Sequence, residues 1–251
     1  MPIAALYDIH GNLPALEAVL DEARLERVDQ IVVGGDVLPG PMPVGCLELL
    51  TGLEIPTQFI MGNGDREVLA RVRGIETDWY TTARPEWREP IDWTAQQLRS
   101  EHAEIIASWP ATLGLHLEGL GNVLFCHATP RNDTDIFTRL TSEERLAPLF
   151  DGANEELVVC GHTHMQFGRR VGKTRVVNAG SVGMPFGKPG ADWLLLGTEV
   201  QLRHTEYDLE QAAARIRQTP YPQAQQFVEN YVVRAPSEEQ MLQVYARAEI
   251  R

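Results

Sequence analysis

The sequence has no long apolar run. None of its stretches approaches the ~18 to 20 consecutive apolar residues of a transmembrane helix. The first residues, MPIAALYDIHGN, contain no basic segment and no cleavage site, so they predict no signal peptide. Internal repeats and low-complexity tracts are missing too. Because 43% of the 251 residues are hydrophobic, we expect one folded domain with an ordinary core and no association with a membrane.

Cysteine is scarce, with only Cys46, Cys126 and Cys160 and no close pairing among them. An odd number of cysteines without a secretion signal predicts a reducing, cytoplasmic compartment. Cys126 and Cys160 each end a predicted strand beside a candidate metal motif. Because side chains alternate along a strand, we expect both thiols to point away from His127 and His162 and to be small buried residues rather than ligands.

Basic residues are few compared with acidic ones. The chain has 22 lysines and arginines against 35 aspartates and glutamates, and its formal net charge is -13. This charge disfavours nucleic acid or an anionic membrane surface as the partner. An anionic substrate would need a local source of positive charge that the rest of the chain lacks.

Metal-ligating residue types are present at the ends of apolar runs. In chain order they are Asp8-x-His10, Gly34-Gly35-Asp36, Gly62-Asn63, His127 and Gly161-His162-Thr163-His164. Imidazoles and carboxylates on rigid strand ends are what a divalent metal site needs. Seven such residues are too many for one ion, so we predict two ions that share one carboxylate. Two divalent ions would also supply the missing positive charge.

The first part of the chain alternates between strand and helix patterns. Strands are predicted at residues 2–7, 30–33 and 57–61, with helical spacing at 13–20 and a helix at 43–50. This alternation implies a parallel sheet with right-handed crossovers. Ligands bind at the carboxyl ends of such strands, so we expect Asp8, Asp36 and Asn63 to converge there.

Residues 73–110 interrupt this pattern with a helical insertion that holds four of the five tryptophans. Within it, a helix is predicted over residues 92–107. Two interpretations stay open. The insertion is either ordinary structure that uses tryptophan as core, or a cap over the metal site, since long insertions often cover active sites. A cap would bring Arg84, Arg88 or His102 to the substrate.

Strands return after the insertion, and several are separated by tight turns that favour hairpins. They are predicted at residues 113–117, 122–125, 157–159, 166–170, 175–178, 193–198 and 201–206. The whole pattern predicts an α/β fold in which two mixed sheets pack face to face with helices outside. A helical extension is expected at 208–251.

These motifs resemble the calcineurin-like metallophosphoesterase superfamily, and the resemblance runs from residue 8 to residue 164. Gly11-Asn12, Gly40-Pro41 and the segment from Asn178 to Gly183 are similar to the smaller prokaryotic branch, which contains phosphodiesterases and enzymes that act on diadenosine polyphosphates. The resemblance implies a four-layer α/β sandwich and a single metallophosphoesterase domain over residues 1–251. The four-layer sandwich agrees with the predicted strands.

The resemblance also implies roles for the seven candidate ligands. One ion would take Asp8, His10 and His164, the other would take Asn63, His127 and His162, and Asp36 would bridge the two. Asp36, Asn63 and His127 would then be the catalytic residues, and a hydroxide that bridges the ions would attack phosphorus. Manganese is the first choice of metal, with iron, zinc, nickel and cobalt as alternatives.

Position 64 departs from the family pattern. Many relatives have histidine directly after the asparagine, where it is thought to protonate the leaving group, but this chain has Gly64. We expect Asp65 to cap the following helix or to support a metal ligand. Arg66 could face either the substrate phosphate or solvent. Without an imidazole at position 64, substrates with good leaving groups are favoured.

The predicted function is therefore hydrolysis of a small phosphorylated molecule, with a phosphodiesterase as the first choice. A diadenosine polyphosphate hydrolase is the alternative. A non-catalytic protein-binding scaffold, like one retromer subunit that resembles this family, would be marked by lost ligands, yet all seven positions are occupied. A structural zinc protein fits poorly, because such sites favour cysteine. The sequence leaves the oligomeric state open, a homo-oligomer included.

Overall fold

A computed structural model describes residues 2–248, and its ten strands form two five-stranded sheets. The first sheet contains β1 (Ile3–Leu6), β2 (Gln30–Val33), β3 (Thr57–Phe59), β9 (Ala191–Leu196) and β10 (Val200–Thr205). The second contains β4 (Thr112–Leu117), β5 (Gly121–Cys126), β6 (Leu157–Cys160), β7 (Gln166–Val171) and β8 (Thr174–Ala179). The sequence places every one of these strands to within a few residues.

Both sheets are mixed, as predicted. The first has the order β10-β9-β1-β2-β3, in which β1, β2 and β3 are parallel and β9 runs antiparallel to β1 and β10. The second has the order β4-β5-β6-β8-β7, in which β5, β6 and β8 are parallel and the two edge strands are antiparallel. Each sheet therefore has parallel central strands whose carboxyl ends lie at one edge.

Helices lie outside the two sheets. They are α1 (Leu13–Leu25), α2 (Pro43–Thr51), α3 (Asn63–Val72), α4 (Asp78–Thr82), α5 (Pro85–Gln97), α6 (Ser100–Ala107), α7 (Glu143–Leu146), α8 (Leu209–Arg217), α9 (Ala224–Phe227) and α10 (Glu238–Ala248). Among the described residues, no helix has both the length and the apolar character needed to cross a bilayer.

One apolar core lies between the two sheets. Side chains from β1 and β2, such as Ile3 and Val32, pack there against Phe125 and Val159 of the second sheet. Tyr7 extends this core, and its hydroxyl donates a hydrogen bond to the carbonyl of Val159 at 3.0 Å. A second apolar cluster fills the space between the first sheet and α1 and α2. The predicted four-layer arrangement is confirmed.

The insertion differs from the sequence-based expectation in one respect. A single helix was expected over residues 92–107, but α5 begins at Pro85 and α6 is separate. The break occurs because Leu98 and Arg99 are extended, and the His102 ring accepts a hydrogen bond from the Arg99 backbone N–H at 3.2 Å, which caps α6. Side-chain capping of this kind leaves little trace in apolar periodicity.

Candidate metal centre and cleft

The seven candidate ligands lie together at the carboxyl edges of both sheets. Each follows a strand of the parallel part of its sheet. They are Asp8 and His10 after β1, Asp36 after β2, Asn63 after β3, His127 after β5, and His162 and His164 after β6. The edges of the two sheets therefore meet at one site, as the strand-end argument predicts.

The backbone at this site is unusual. Six non-glycine residues of the described chain have a φ in the left-handed region, and five of them are candidate ligands. These five are Asp8 (54°), His10 (46°), Asp36 (51°), His162 (66°) and His164 (54°). A residue other than glycine adopts this backbone conformation at a cost of ~1–3 kcal/mol, which the surrounding structure must offset. Such a concentration of strain marks a functional site.

Asp8 lies at the centre of the cluster and is fully buried. Its Oδ2 accepts a hydrogen bond from the His162 backbone N–H at 2.8 Å. Its Oδ1 is buried without any hydrogen-bond partner. That oxygen is 3.2 Å from Nε2 of His164 and 3.9 Å from Nε2 of both His10 and His127. A buried carboxylate oxygen without a donor is costly, and a cation among these atoms would satisfy it.

Two groups of donors come close enough to hold ions. Asp8, His10 and His164 form one group, and Asp8, Asp36 and His127 form the other, with ligand atoms within 4.8 Å of one another. Asp36 Oδ2 is 3.8 Å from Nε2 of His10 and 3.6 Å from Nε2 of His127. Both carboxylates therefore lie between the imidazoles of the two groups.

The imidazoles are oriented for ligation by bonds on their far side. Nδ1 of His127 is 2.9 Å from the Gly34 carbonyl, and Nδ1 of His164 is 3.1 Å from the Met184 carbonyl. The network assigns a proton to each Nδ1, which leaves the Nε2 lone pair facing the site.

The charge state of the donors also suits a cation. Burial lowers the pKa of the imidazole of His10 to about 3, and burial likewise lowers the pKa of His162 to about 3. Both rings are thus neutral ligands near pH 7. Burial and the nearby Asp8 raise the pKa of the Asp36 carboxyl. Two carboxylates this close repel each other, and a cation between them would remove that repulsion.

Asn63 supplies the remaining donor. Its side-chain oxygen is 3.1 Å from Nε2 of His127. The same amide atom is 2.9 Å from Nδ1 of His162. If this atom is the amide nitrogen, it donates hydrogen bonds to both rings. If it is the amide oxygen, its lone pairs and those of the two ring nitrogens are available to the same cation. The whole donor set of carboxylate, imidazole and amide oxygen, with no thiolate, fits a divalent transition metal.

Asp65 supports the loops that carry the candidate ligands Asp36 and Asn63, as expected. Its carboxylate is buried and accepts hydrogen bonds from three backbone N–H groups, those of Asp36 at 2.7 Å, Leu38 at 2.9 Å and Gly62 at 3.1 Å. The last of these bonds also caps α3. Asp65 thereby ties the loop after β2 to the start of α3.

A second support was not recognised as such in the sequence. The hydroxyl of Ser181 donates to the Asp8 carbonyl at 2.7 Å and accepts from the Met184 N–H at 2.8 Å. The Asn178 amide donates to the Gly161 carbonyl at 2.6 Å. The segment from Asn178 to Gly183 stood out in the sequence, and these contacts give it a structural role in holding two ligand loops.

Gly64 lies in the first turn of α3 beside Asp36. Its backbone N–H donates to Asp36 Oδ1 at 2.7 Å. A Cβ at this position would lie 2.4 Å from the Leu38 carbonyl oxygen and 3.1 Å from Asp36 Oδ1. Backbone atoms fill the space that a side chain at position 64 would need. The close packing of the start of α3 against the loop after β2 therefore explains why this position has no histidine.

A cleft of about 470 Å³ opens directly on the seven candidate ligands, and we call it the aromatic cleft. The seven candidate ligands together are called the metal cluster. One end is formed by His10, Asp36, Asn63 and Gly64. The walls come from the insertion and from the C-terminal segment, and their aromatic members are Trp79, Trp87, Tyr221, Phe227 and Tyr231. The contribution of residues 221–231 was not predicted, because periodicity cannot show where a polar-rich terminal segment docks.

The tryptophans of the insertion differ in their surroundings. Trp109 is buried and stacks on Phe59 with ring centroids 5.0 Å apart. Trp93 packs edge-on against Tyr221. Trp79 and Trp87 are 38% and 54% exposed and line the aromatic cleft.

Arg66 already has two carboxylate partners. Its guanidinium forms a bidentate contact with Asp133, at 2.7 Å and 3.2 Å, and a third bond to Glu67 at 2.6 Å. It lines a smaller pocket that also includes His127. The charge of this guanidinium is therefore already balanced by these two carboxylates.

The other three predicted substrate contacts lie away from the ligands. Arg84 stacks over Trp87, and Arg88 lies over the ring of Tyr80. His102 is buried as the cap of α6 and faces Arg99. None of the three lines the aromatic cleft among the described residues. Their positions give no support to the predicted substrate contacts, because α5 and α6 turn these side chains elsewhere.

The family model for the calcineurin-like phosphoesterase superfamily domain matches residues 1–201. The chain belongs to that superfamily. It is a metal-dependent phosphoesterase, and the two mixed sheets are the fold of the family. A metallophosphoesterase from Sphaerobacter thermophilus has a similar structure, with a TM-score of 0.71 and 27% sequence identity over 91% of this chain and 97% of the other.

Two curated proteins are similar in sequence. The uncharacterized protein MJ0912 of Methanocaldococcus jannaschii is 26% identical over 241 residues, which cover 88% of this chain and 94% of that protein. A symmetrical bis(5'-nucleosyl)-tetraphosphatase of Actinobacillus succinogenes is 32% identical over 98 residues, or 36% of each chain. The second match is partial.

Proposed function

We propose that this phosphoesterase binds two divalent metal ions and hydrolyses small phosphodiesters. One ion would be held by Asp8, His10 and His164, the other by Asn63, His127 and His162, with Asp36 shared between them. The observation that carries the proposal is the buried Oδ1 of Asp8, which has no hydrogen-bond partner and faces three imidazole nitrogens. Manganese is the first choice, and iron, zinc, nickel and cobalt suit the same donors.

Two bound divalent ions would supply a nucleophile near neutral pH and neutralise charge on the phosphoryl oxygens. The protein's own part is to fix the donors. The carbonyls of Gly34 and Met184 orient the rings of His127 and His164. Asp65 holds the backbone of Asp36 in its strained conformation. Fixed donors need no reorganisation during the reaction, which is the main source of electrostatic catalysis.

The choice of phosphodiester substrates rests on what surrounds the leaving group. Gly64 has no side chain to donate a proton, and the nearby Glu67 carboxylate is already bonded to Arg66 and Thr77. General acid catalysis is commonly worth about 10²- to 10⁴-fold. Its loss matters least when the leaving group is a weak base. Aryl diesters and phosphoanhydrides should therefore react well, and alkyl monoesters poorly.

Hydrolysis of diadenosine polyphosphates is the second candidate. Phosphoanhydrides also have good leaving groups, and the exposed rings of Trp79 and Trp87 could stack on adenine. The partial similarity to a bis(5'-nucleosyl)-tetraphosphatase favours this candidate over other anhydrides.

We also propose that the enzyme works in a reducing, cytoplasmic compartment. All three cysteines are free and buried, and burial raises the pKa of each thiol, which keeps it unreactive.

The test combines metal content with turnover. Manganese-reconstituted protein should bind two ions and cleave bis(p-nitrophenyl) phosphate faster than alkyl monoesters or diadenosine tetraphosphate. Asp36→Asn and His127→Ala should each lose at least about 10²-fold in kcat/KM and bind fewer ions, with unchanged circular dichroism. Full activity in either variant would contradict the two-metal assignment.

A further inference from the structure

The aromatic side chains that line the aromatic cleft contact one another or a guanidinium. Tyr221 and Phe227 meet edge to face with centroids 6.3 Å apart, and Phe227 lies 5.6 Å from Tyr231. In the insertion, the guanidinium carbon of Arg84 lies over the ring of Trp87, 4.9 Å from its centroid. Rings held in this way form a prepared surface for a flat apolar group.

The charges along the cleft favour an uncharged ligand. None of the described residues that line it is lysine or arginine, so nothing there would hold an anion away from the metals. Its two acidic side chains beyond Asp36 are Glu67 and Glu86. Each already has a guanidinium partner, Arg66 at 2.6 Å and Arg84 at 3.2 Å. Each carboxylate is therefore balanced by its own partner and demands no cationic ligand.

We propose that the aromatic cleft binds an uncharged nucleoside as the non-reacting group of the phosphodiester. The cleft volume, about 470 Å³, lies within the ~300–1,000 Å³ of small-molecule sites. The rings would stack on the base, and the side-chain amides of Gln226 and Asn230 line the same cleft and offer donors and acceptors to the base edge. This inference rests on the proposed function, since the metal cluster must hold the phosphate.

The proposal separates the two candidate substrate classes. In a nucleoside diester only the reacting phosphate is charged, and that group lies at the metal cluster. A dinucleoside polyphosphate carries further phosphates, and no lysine or arginine among the described lining residues would balance their charge. The cleft should therefore favour a nucleoside diester over a polyphosphate.

Binding of adenosine and thymidine to the full chain loaded with manganese gives a test that does not depend on turnover. Calorimetry should detect at least one of the two, and Trp87→Ala should weaken that binding about ten-fold, the usual effect of losing one stacking partner. Leu202→Ala is the matched control, since Leu202 is 50% exposed on β10, outside the cleft. Any of three results would overturn the proposal. Neither nucleoside binds, Trp87→Ala binds the nucleoside as tightly as the parent, or the organic cation choline binds more tightly than the nucleosides.

Turnover gives the second test, which compares two diesters that share one leaving group but differ in the group that stays on the phosphate. The kcat/KM for thymidine 5'-(p-nitrophenyl phosphate) should exceed that for methyl p-nitrophenyl phosphate by about ten-fold, and Trp87→Ala should remove most of this ratio. A ratio near one in the parent enzyme would overturn the proposal. Failure to hydrolyse either ester would instead contradict the proposed function, while nucleoside binding would still decide the role of the cleft.

A pair of charge reversals tests the argument against polyphosphates. Glu86→Lys places a cation in the cleft and should raise kcat/KM for diadenosine tetraphosphate by about ten-fold. Glu104→Lys, at an exposed position of α6 outside the cleft, changes the net charge equally and should have little effect. An equal rise in both variants would overturn the assignment of charge selection to the cleft.

Discussion

The position of Gly64 allows no side chain. A Cβ would meet the carbonyl oxygen of Leu38 at 2.4 Å, and the Leu38–Pro39 backbone cannot move without disturbing the Asp36 loop. We therefore expect Gly64→Ala to lower the free energy of unfolding by about 1–3 kcal/mol. Gly64→His should be at least as destabilising and should not supply the missing proton donor.

Urea unfolding measures this effect, and Gly114→Ala is the matched control. Gly114 lies in β4 with no atom within 4 Å of a Cβ, so its substitution should change stability by less than ~0.5 kcal/mol. If Gly64→Ala is as stable as the parent, the loop after β2 has more freedom than the contacts imply.

Single residues also show what the sequence could and could not predict. The convergence of the candidate ligands was predictable because their types, order and positions after strands all point to one edge. The direction of Arg88 and His102 was not, because a side chain on an outer helix can face solvent, a neighbouring helix or the cleft without changing its periodicity. The docking of Tyr221 and Tyr231 depends on long-range packing in the same way.

The connection between β8 and β9 is the element that fastens the ligand loops together. Ser181 is fully buried in it and bonds to both Asp8 and Met184. Ser181→Ala should therefore cost about 1–3 kcal/mol of stability through the lost bonds. It should also weaken manganese binding by about ten-fold, because the Asp8 loop loses its anchor.

The control for this substitution is Ser108→Ala. The hydroxyl of Ser108 also donates to a backbone carbonyl, that of Ile105 at 2.6 Å, but it is exposed and lies at the end of α6. Its removal should change stability by less than ~0.5 kcal/mol and leave manganese affinity unchanged. Calorimetric titration of both variants separates the two effects. An unaltered manganese affinity in Ser181→Ala would reduce the connection to a purely structural role.

Strands and helices differed in how well the sequence located them. The strands are short buried runs bounded by glycine, aspartate or turn residues, and their limits were predictable to within a few residues. The division of the insertion into α5 and α6 was missed, because it depends on the capping of Arg99 by His102 rather than on hydrophobic spacing.

Across the whole molecule, the metal cluster joins the two sheets. Asp8, Asp36 and Asn63 follow strands of the first sheet, and His127 and His164 follow strands of the second. Ions bound to both sets would cross-link the sandwich at one edge. Any ligand that binds only the folded state stabilises it by mass action, so metal binding should be visible in the thermal stability of the entire chain.

We expect manganese to raise the melting temperature of chelator-treated protein by at least about 5 °C. At a hundredfold excess over Kd, one site adds about 2.7 kcal/mol, and 1 kcal/mol shifts Tm by roughly 2–4 °C in a chain of this size. His162→Ala should lose much of the shift. His116→Ala, which removes an exposed imidazole from β4, should keep all of it. An equal shift in both variants would mean that the stabilising ions bind outside the proposed centre.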